Sequence, residues 1–172
     1  MTKDEIVKRL KENTEKVISL IESLSGEELN AAETGKWSKL KHLEHLLRSI
    51  QPLNKALQIP LPGLRILFGK PNRPSRTYDE QVAKYLKKLS EGGKASGRFI
   101  PAKKQEKSRI LKKYQEQSEF LYKVILKWKE GDLDKYLLPH PLLGKLLIRE
   151  MLYFTIYHTE HHYKIISSLN QE

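Results

Sequence analysis

Apolar positions recur at helical spacing along most of the chain. Ile6, Val7, Leu10, Val17, Leu20, Ile21 and Leu24 form a first stripe with Lys and Glu between, which predicts a helix ending near Ser25-Gly26. The polar stretch from Glu27 to Lys36, with Gly35 in it, predicts a connection with one irregular turn. Ser38 then reads as the N-cap of a second helix, because its hydroxyl can accept a bond from an orphan backbone N–H. Leu40, Leu43, Leu46, Leu47 and Ile50 make that helix's buried stripe, and Pro52 is expected to bend or fray its end.

From Gln58 to Ser75 the chain carries Pro60, Pro62, Pro71 and Pro74 together with Gly63 and Gly69, which predicts a long crossover without a helix. Leu64, Ile66, Leu67 and Phe68 are apolar enough to lie across a bundle end. Long connections of this kind often serve as lids or covers. Thr77-Tyr-Asp-Glu80 reads as a capping box for a short helix through about Leu89, stopped by Gly92-Gly93. A second irregular stretch ends at Pro101. A long helix is expected from about Lys104 to Glu130, with Ile110, Leu111, Tyr114, Leu121, Val124, Ile125 and Trp128 inward and Gly131 as its stop.

After a loop through His140-Pro141, a last helix is expected from about Leu142 to Leu169. Its centre, Leu146 to Tyr157, is apolar nearly all round, the mark of the most buried helix. No convincing strand alternation and no internal repeat is evident. The pattern therefore predicts an all-α fold: an antiparallel four-helix bundle, with a long crossover and a short extra helix between the second and third long helices. Residues 1–172 are expected to form one domain, a size that can bury a real core.

Composition narrows the chemistry. There is no cysteine, which excludes disulfides, thiolate metal sites and a cysteine nucleophile. The amino terminus has no apolar run behind its charges, and no stretch approaches the length of a membrane span, so a soluble cytoplasmic protein is expected. Of the net charge of +11, a balance of +10 lies between Lys70 and Lys113. That segment could meet an acidic partner or nucleic acid, or simply form a solvated loop and helix face. Its aromatic residues (Tyr78, Tyr85 and Phe99) are too scattered for single-strand stacking.

Five of the six histidines fall in two clusters. His158 and His162 stand at i and i+4 on the last helix, so they differ by about 40° in direction and one turn in height. Two imidazoles so placed can point at one ion. His161 points about 60° away from His158 and is the weaker candidate. On the second helix His42 and His45 stand at i and i+3; spacing alone leaves them nearly tied, with His45 closer to the middle of the apolar stripe.

Trp37-Ser38 followed by His45-Leu46, and later His140-Pro-Leu-Leu-Gly144 leading into His158-Thr-Glu-His-His162, resemble the motifs of the DinB-like metal-binding four-helix bundles. The resemblance runs from about Ile6 to Leu169. It implies a divalent ion, nickel or zinc, on three histidines with open positions for water or substrate. Carried onto this sequence, the ligands are His45, His158 and His162, and the Trp37-Ser38 spacing is what selects His45. Met151 and Leu152 stand where relatives often carry a tryptophan, a packing substitution that methionine can absorb.

The resemblance points to a metal-dependent enzyme on a small molecule, either a hydrolase or a thiol-dependent transferase. Partners would be the substrate, with a low-molecular-weight thiol and a second copy of the chain as further options. The alternative is a non-catalytic bundle that uses the 70–113 segment to bind an acidic partner or nucleic acid. Glu44 and Glu160 neighbour the ligands in sequence but point about 100° away, so His42 and His161 are the candidates for proton transfer. His140 is expected to cap the last helix.

Overall fold

The computed structural model describes residues 1–32, 34–103 and 106–168. Four long helices make the frame: α1 (Lys3–Ser23), α3 (Lys39–Ala56), α6 (Lys107–Lys127) and α7 (Ile148–Ser168). Shorter pieces are α2 (Gly26–Asn30), α4 (Leu61–Phe68) and α5 (Tyr78–Ser90), with two 3₁₀ turns at Gly97–Phe99 and Glu130–Asp134. The expected helix limits at Lys104 and Leu169 lie outside the described residues.

Capping follows the side chains. Thr2 with Glu5, Ser25 with Glu28 and Thr77 with Glu80 form reciprocal boxes at the starts of α1, α2 and α5. Ser38 accepts from the Lys41 N–H and caps α3 as expected. Three expectations need correction. The Pro-rich crossover contains a helix, α4, because Pro60 and Pro62 fall at its start, where a missing N–H costs nothing. Pro52 lies inside α3, which continues to Ala56. The last helix begins at Ile148, after a hairpin of β1 (Leu137–His140) and β2 (Gly144–Leu147). These strands are only four residues each, too short for an alternation to register, and Gly144 takes the positive φ of 73° that their tight connection requires.

Contacts fix the helix directions. Lys3 reaches the carbonyls of Leu126 and Trp128 while Lys107 reaches those of Glu22 and Leu24, so α1 and α6 are antiparallel. His42 meets His162 and His45 meets His158, so α3 and α7 are antiparallel too. The long crossover returns the chain so that α6 runs alongside α3 in the same direction, with Asn54 bonded to Gln117 and Leu57 to Trp128. Around the bundle the order is α1, α6, α3, α7, and the two helices nearest in sequence sit across a diagonal.

The core is continuous through all four helices, with Ile6, Leu43, Leu121, Ile125 and Leu152 at 0–1% exposure. Each such side chain contributes on the order of 1.5–3 kcal/mol by leaving water. α7 is buried from Ile148 through Ile156. Among the described residues no helix is long and apolar enough to cross a membrane.

The crossover is locked at one point. Glu150, fully buried at the start of α7, pairs with Arg73 and Arg76 and accepts the backbone N–H groups of Arg76 and Leu147. Burial works against its charge, yet these donors hold its pKa below the ordinary carboxylate value. Part of the basic segment therefore serves the fold.

Candidate metal centre

His45 is carried by α3, His158 and His162 by α7, and all three are buried at 4–7% exposure. One nitrogen from each lies within 4.8 Å of the others. The His158 Nε2 is 3.1 Å from both His45 Nε2 and His162 Nε2. The i, i+4 spacing thus does bring two rings together, and the third arrives from the facing antiparallel helix.

The outer nitrogens decide the tautomers. His45 Nδ1 lies 2.7 Å from the carbonyl oxygen of Phe99, which can only accept, so that nitrogen carries the proton and Nε2 presents a bare lone pair. His162 Nδ1 lies 2.9 Å from His42 Nδ1. With the proton on His162, its Nε2 is also free toward the cluster. A proton on His158 Nε2 can serve only one of its two neighbours, which leaves lone pairs facing each other. With the His158 proton on Nδ1 instead, three lone pairs converge, which suits a cation, and the 3.1 Å spacings approach the roughly 3.3 Å edge of a tetrahedral site with metal–nitrogen distances near 2.05 Å.

The rings are poised as neutral donors. Burial, reinforced by neighbouring histidines, pushes the pKa of His158 and His162 well down and lowers that of His45. Burial likewise brings His42 to about 4. Trp37 packs on both His42 and His45, with ring centroids 5.5 and 5.2 Å away. That is the physical content of the tryptophan before the cap: it seats the α3 histidines.

The other candidates separate. His42 is hydrogen-bonded to His162, a position from which it fixes that ring. His161 is half-buried against Tyr85, Tyr157 and His162 and does not line the cavity described below. Glu160 pairs with Lys164, while Glu44 is held by Arg48 and the Ala102 N–H. His140 does not cap the last helix; its Nδ1 accepts the Leu142 and Leu143 N–H groups in the hairpin turn. Spacing gave no sign of the Phe99 carbonyl, which reaches the site from the 3₁₀ turn. Phe154, stacked on His158 at 4.8 Å, stands four residues before it, a relation legible in the sequence.

His45 and His158 form part of the wall of a cavity of about 520 Å3 between α3, α5, α7 and the hairpin. Such a volume suits a small organic molecule.

A helical bundle with a buried histidine cluster between facing helices defines a class in which ion sites are built from the core. The chain belongs to the DinB superfamily, whose family model matches residues 9–166. Two solved structures share the fold. TT2238, a four-helix bundle protein, is 20% identical with a TM-score of 0.65, over 97% of this chain and 99% of its own. YfiT from Bacillus subtilis, a probable metal-dependent hydrolase with an unusual four-helix bundle topology, is 20% identical with a TM-score of 0.66, over 98% of this chain and 86% of its own. No curated protein sequence matches the chain significantly.

Proposed function

We propose that this protein is a metal-dependent hydrolase of a small molecule, acting at His45, His158 and His162. The observation that carries the reading is the convergence of three imidazole nitrogens, two of them from residues on the wall of a partly open, mostly apolar cavity. The similarity to YfiT supports the hydrolytic direction.

In this reading the three histidines hold one divalent ion, nickel or zinc, since neutral imidazoles suit both. Such an ion supplies Lewis acidity, polarising a substrate oxygen or acidifying water. The chain's own residues do the rest. The Phe99 carbonyl and His42 orient two of the ligands by holding their outer protons. The mostly apolar walls lower the local dielectric and so strengthen electrostatic interactions along them. No aspartate or glutamate lines the cavity among the described residues, so a proton would pass through an imidazole or a solvent molecule, and His140 is the wall histidine outside the set of three.

The test is turnover of a panel of small esters and amides by protein purified without a histidine tag. Activity that disappears on chelation and returns with nickel or zinc supports the proposal. Metal-loaded protein that turns over no member of the panel, or activity indifferent to chelation, counts against it.

A further inference from the structure

The histidine cavity is chemically lopsided. Its walls are mostly aliphatic and aromatic, with Leu53, Phe68, Leu89, Leu138, Met151 and Phe154 coming from five different elements, and the hydroxyls of Ser49, Thr155 and Thr159 on it donate to carbonyls of their own helices. The charged side chains that line it are Lys55, Lys94 and Arg98, all exposed and so on its solvent side; no carboxylate opposes them among the described residues. A cation or a strongly polar sugar-like molecule would find little to pair with there. An apolar anion would find both halves of its structure matched.

His140 adds a directed contact. It stands at the end of β1 on the cavity wall, and its Nδ1 accepts two backbone N–H groups at 3.1 Å each. A nitrogen that accepts twice has no room for a proton, so the neutral ring is held as the Nε2–H tautomer. Burial, with Lys84 nearby, brings its pKa to about 4, which keeps the ring neutral in ordinary buffers. Phe154 lies edge-on to it at 4.4 Å and in turn stacks on His158, so the ring is packed within reach of the cluster. Nε2 has no protein hydrogen-bond partner among the described residues. It is a fixed donor left to solvent or to a ligand.

We infer that the ligand of this cavity is an amphipathic monoanion of the carboxylate class. Its apolar chain or ring lies on the hydrophobic wall, an acceptor oxygen takes the His140 Nε2–H, and its charge faces Lys94 and Arg98. This deepens the hydrolase reading by naming a substrate class, and it rests on that reading in taking this cavity as the substrate's.

The test is calorimetric titration of the full chain, stripped of metal, with decanoate, decanol and decyltrimethylammonium. Decanoate should bind at one site, decanol more weakly, and the ammonium not at all. His140→Asn keeps an oxygen near Nδ1 for the Leu142 and Leu143 N–H groups but removes the donor; decanoate affinity should fall about tenfold with the melting temperature unchanged. His140→Gln offers an amide nearer Nε2 but gives up the turn acceptor, and should lose more stability than affinity. Lys94→Gln with Arg98→Gln should erase the preference for decanoate over decanol.

Equal binding of all three amphiphiles, binding at many sites, or unchanged affinity in His140→Asn would overturn the inference. Absence of decanoate binding would also overturn it, while metal content, read separately, would leave the proposed function standing. Decanoate binding by a protein that takes up no metal would do the reverse.

Discussion

His45 Nδ1 donates to the carbonyl oxygen of Phe99 at 2.7 Å, and this bond determines which nitrogen of His45 faces the cluster. Phe99 lies in a one-turn 3₁₀ helix within a stretch that shows no periodicity, so an irregular connection sets the tautomer of a buried ring. His42 Nδ1 meets His162 Nδ1 at 2.9 Å, and the tautomer of His162 suited to a ligand is the one in which His162 donates to His42.

If His42 orients rather than ligates, His42→Ala should still bind one ion per chain, with affinity reduced about 10–100-fold. Titration against a competing chelator measures this. Complete loss of the ion in His42→Ala, with His45→Ala still loaded, would reverse the roles of the two residues.

The acid side of the stability curve should carry the histidines' signature. His42 and His140 are held at about 4, against an ordinary value of 6.5. Between those values the unfolded chain binds more protons than the folded one, so the stabilisation is fully present above about pH 6.5 and is lost as the pH falls toward about 4. Melting temperatures of the metal-free protein should drop steadily over that window. A flat or rising profile on acidification contradicts the neutral-ring description.

Glu150 is the anchor of the crossover, and Glu150→Ala strands Arg73, Arg76 and two backbone N–H groups. Both arginines remain about 30% exposed and can turn to water. The cost should therefore sit near the low end for a broken buried pair, about 3 kcal/mol, or roughly 10 °C in melting temperature. Denaturant unfolding checks this; a change under about 0.5 kcal/mol, the scale of a surface substitution, would mean the pair is ornamental.

Gly93 borders the cavity, and a Cβ there would sit 2.6 Å from the Lys88 carbonyl oxygen and 2.8 Å from a Leu142 methyl carbon. The backbone atom cannot yield cheaply. Gly93→Ala should cost about 1–3 kcal/mol, with Leu142 displaced into the cavity. Unchanged stability would show that the hairpin shifts freely.

The four long helices were legible because their apolar stripes at Ile6–Leu24, Leu40–Ile50, Ile110–Trp128 and Leu146–Tyr157 are long enough for period to speak. The short elements were not. Pro60 and Pro62 read as breakers although both occupy helix-start positions, and four-residue strands look like the lead-in to α7. The pairing of His158 with His162 follows from spacing within one helix. The meeting of His45 with His158 depends on α3 and α7 facing each other across the bundle, which no local pattern encodes. The contacts from Phe99 and the hairpin turn are tertiary in the same sense.

The central claim is that three histidines hold one ion, and metal content tests it most directly. Protein purified without a histidine tag, equilibrated with limiting nickel or zinc and dialysed, should carry one ion per chain by elemental mass spectrometry. His45→Ala, His158→Ala and His162→Ala should each lose it while keeping the helical circular dichroism of the parent. A folded variant that stays fully loaded, or a parent chain that retains no divalent ion, would contradict the account.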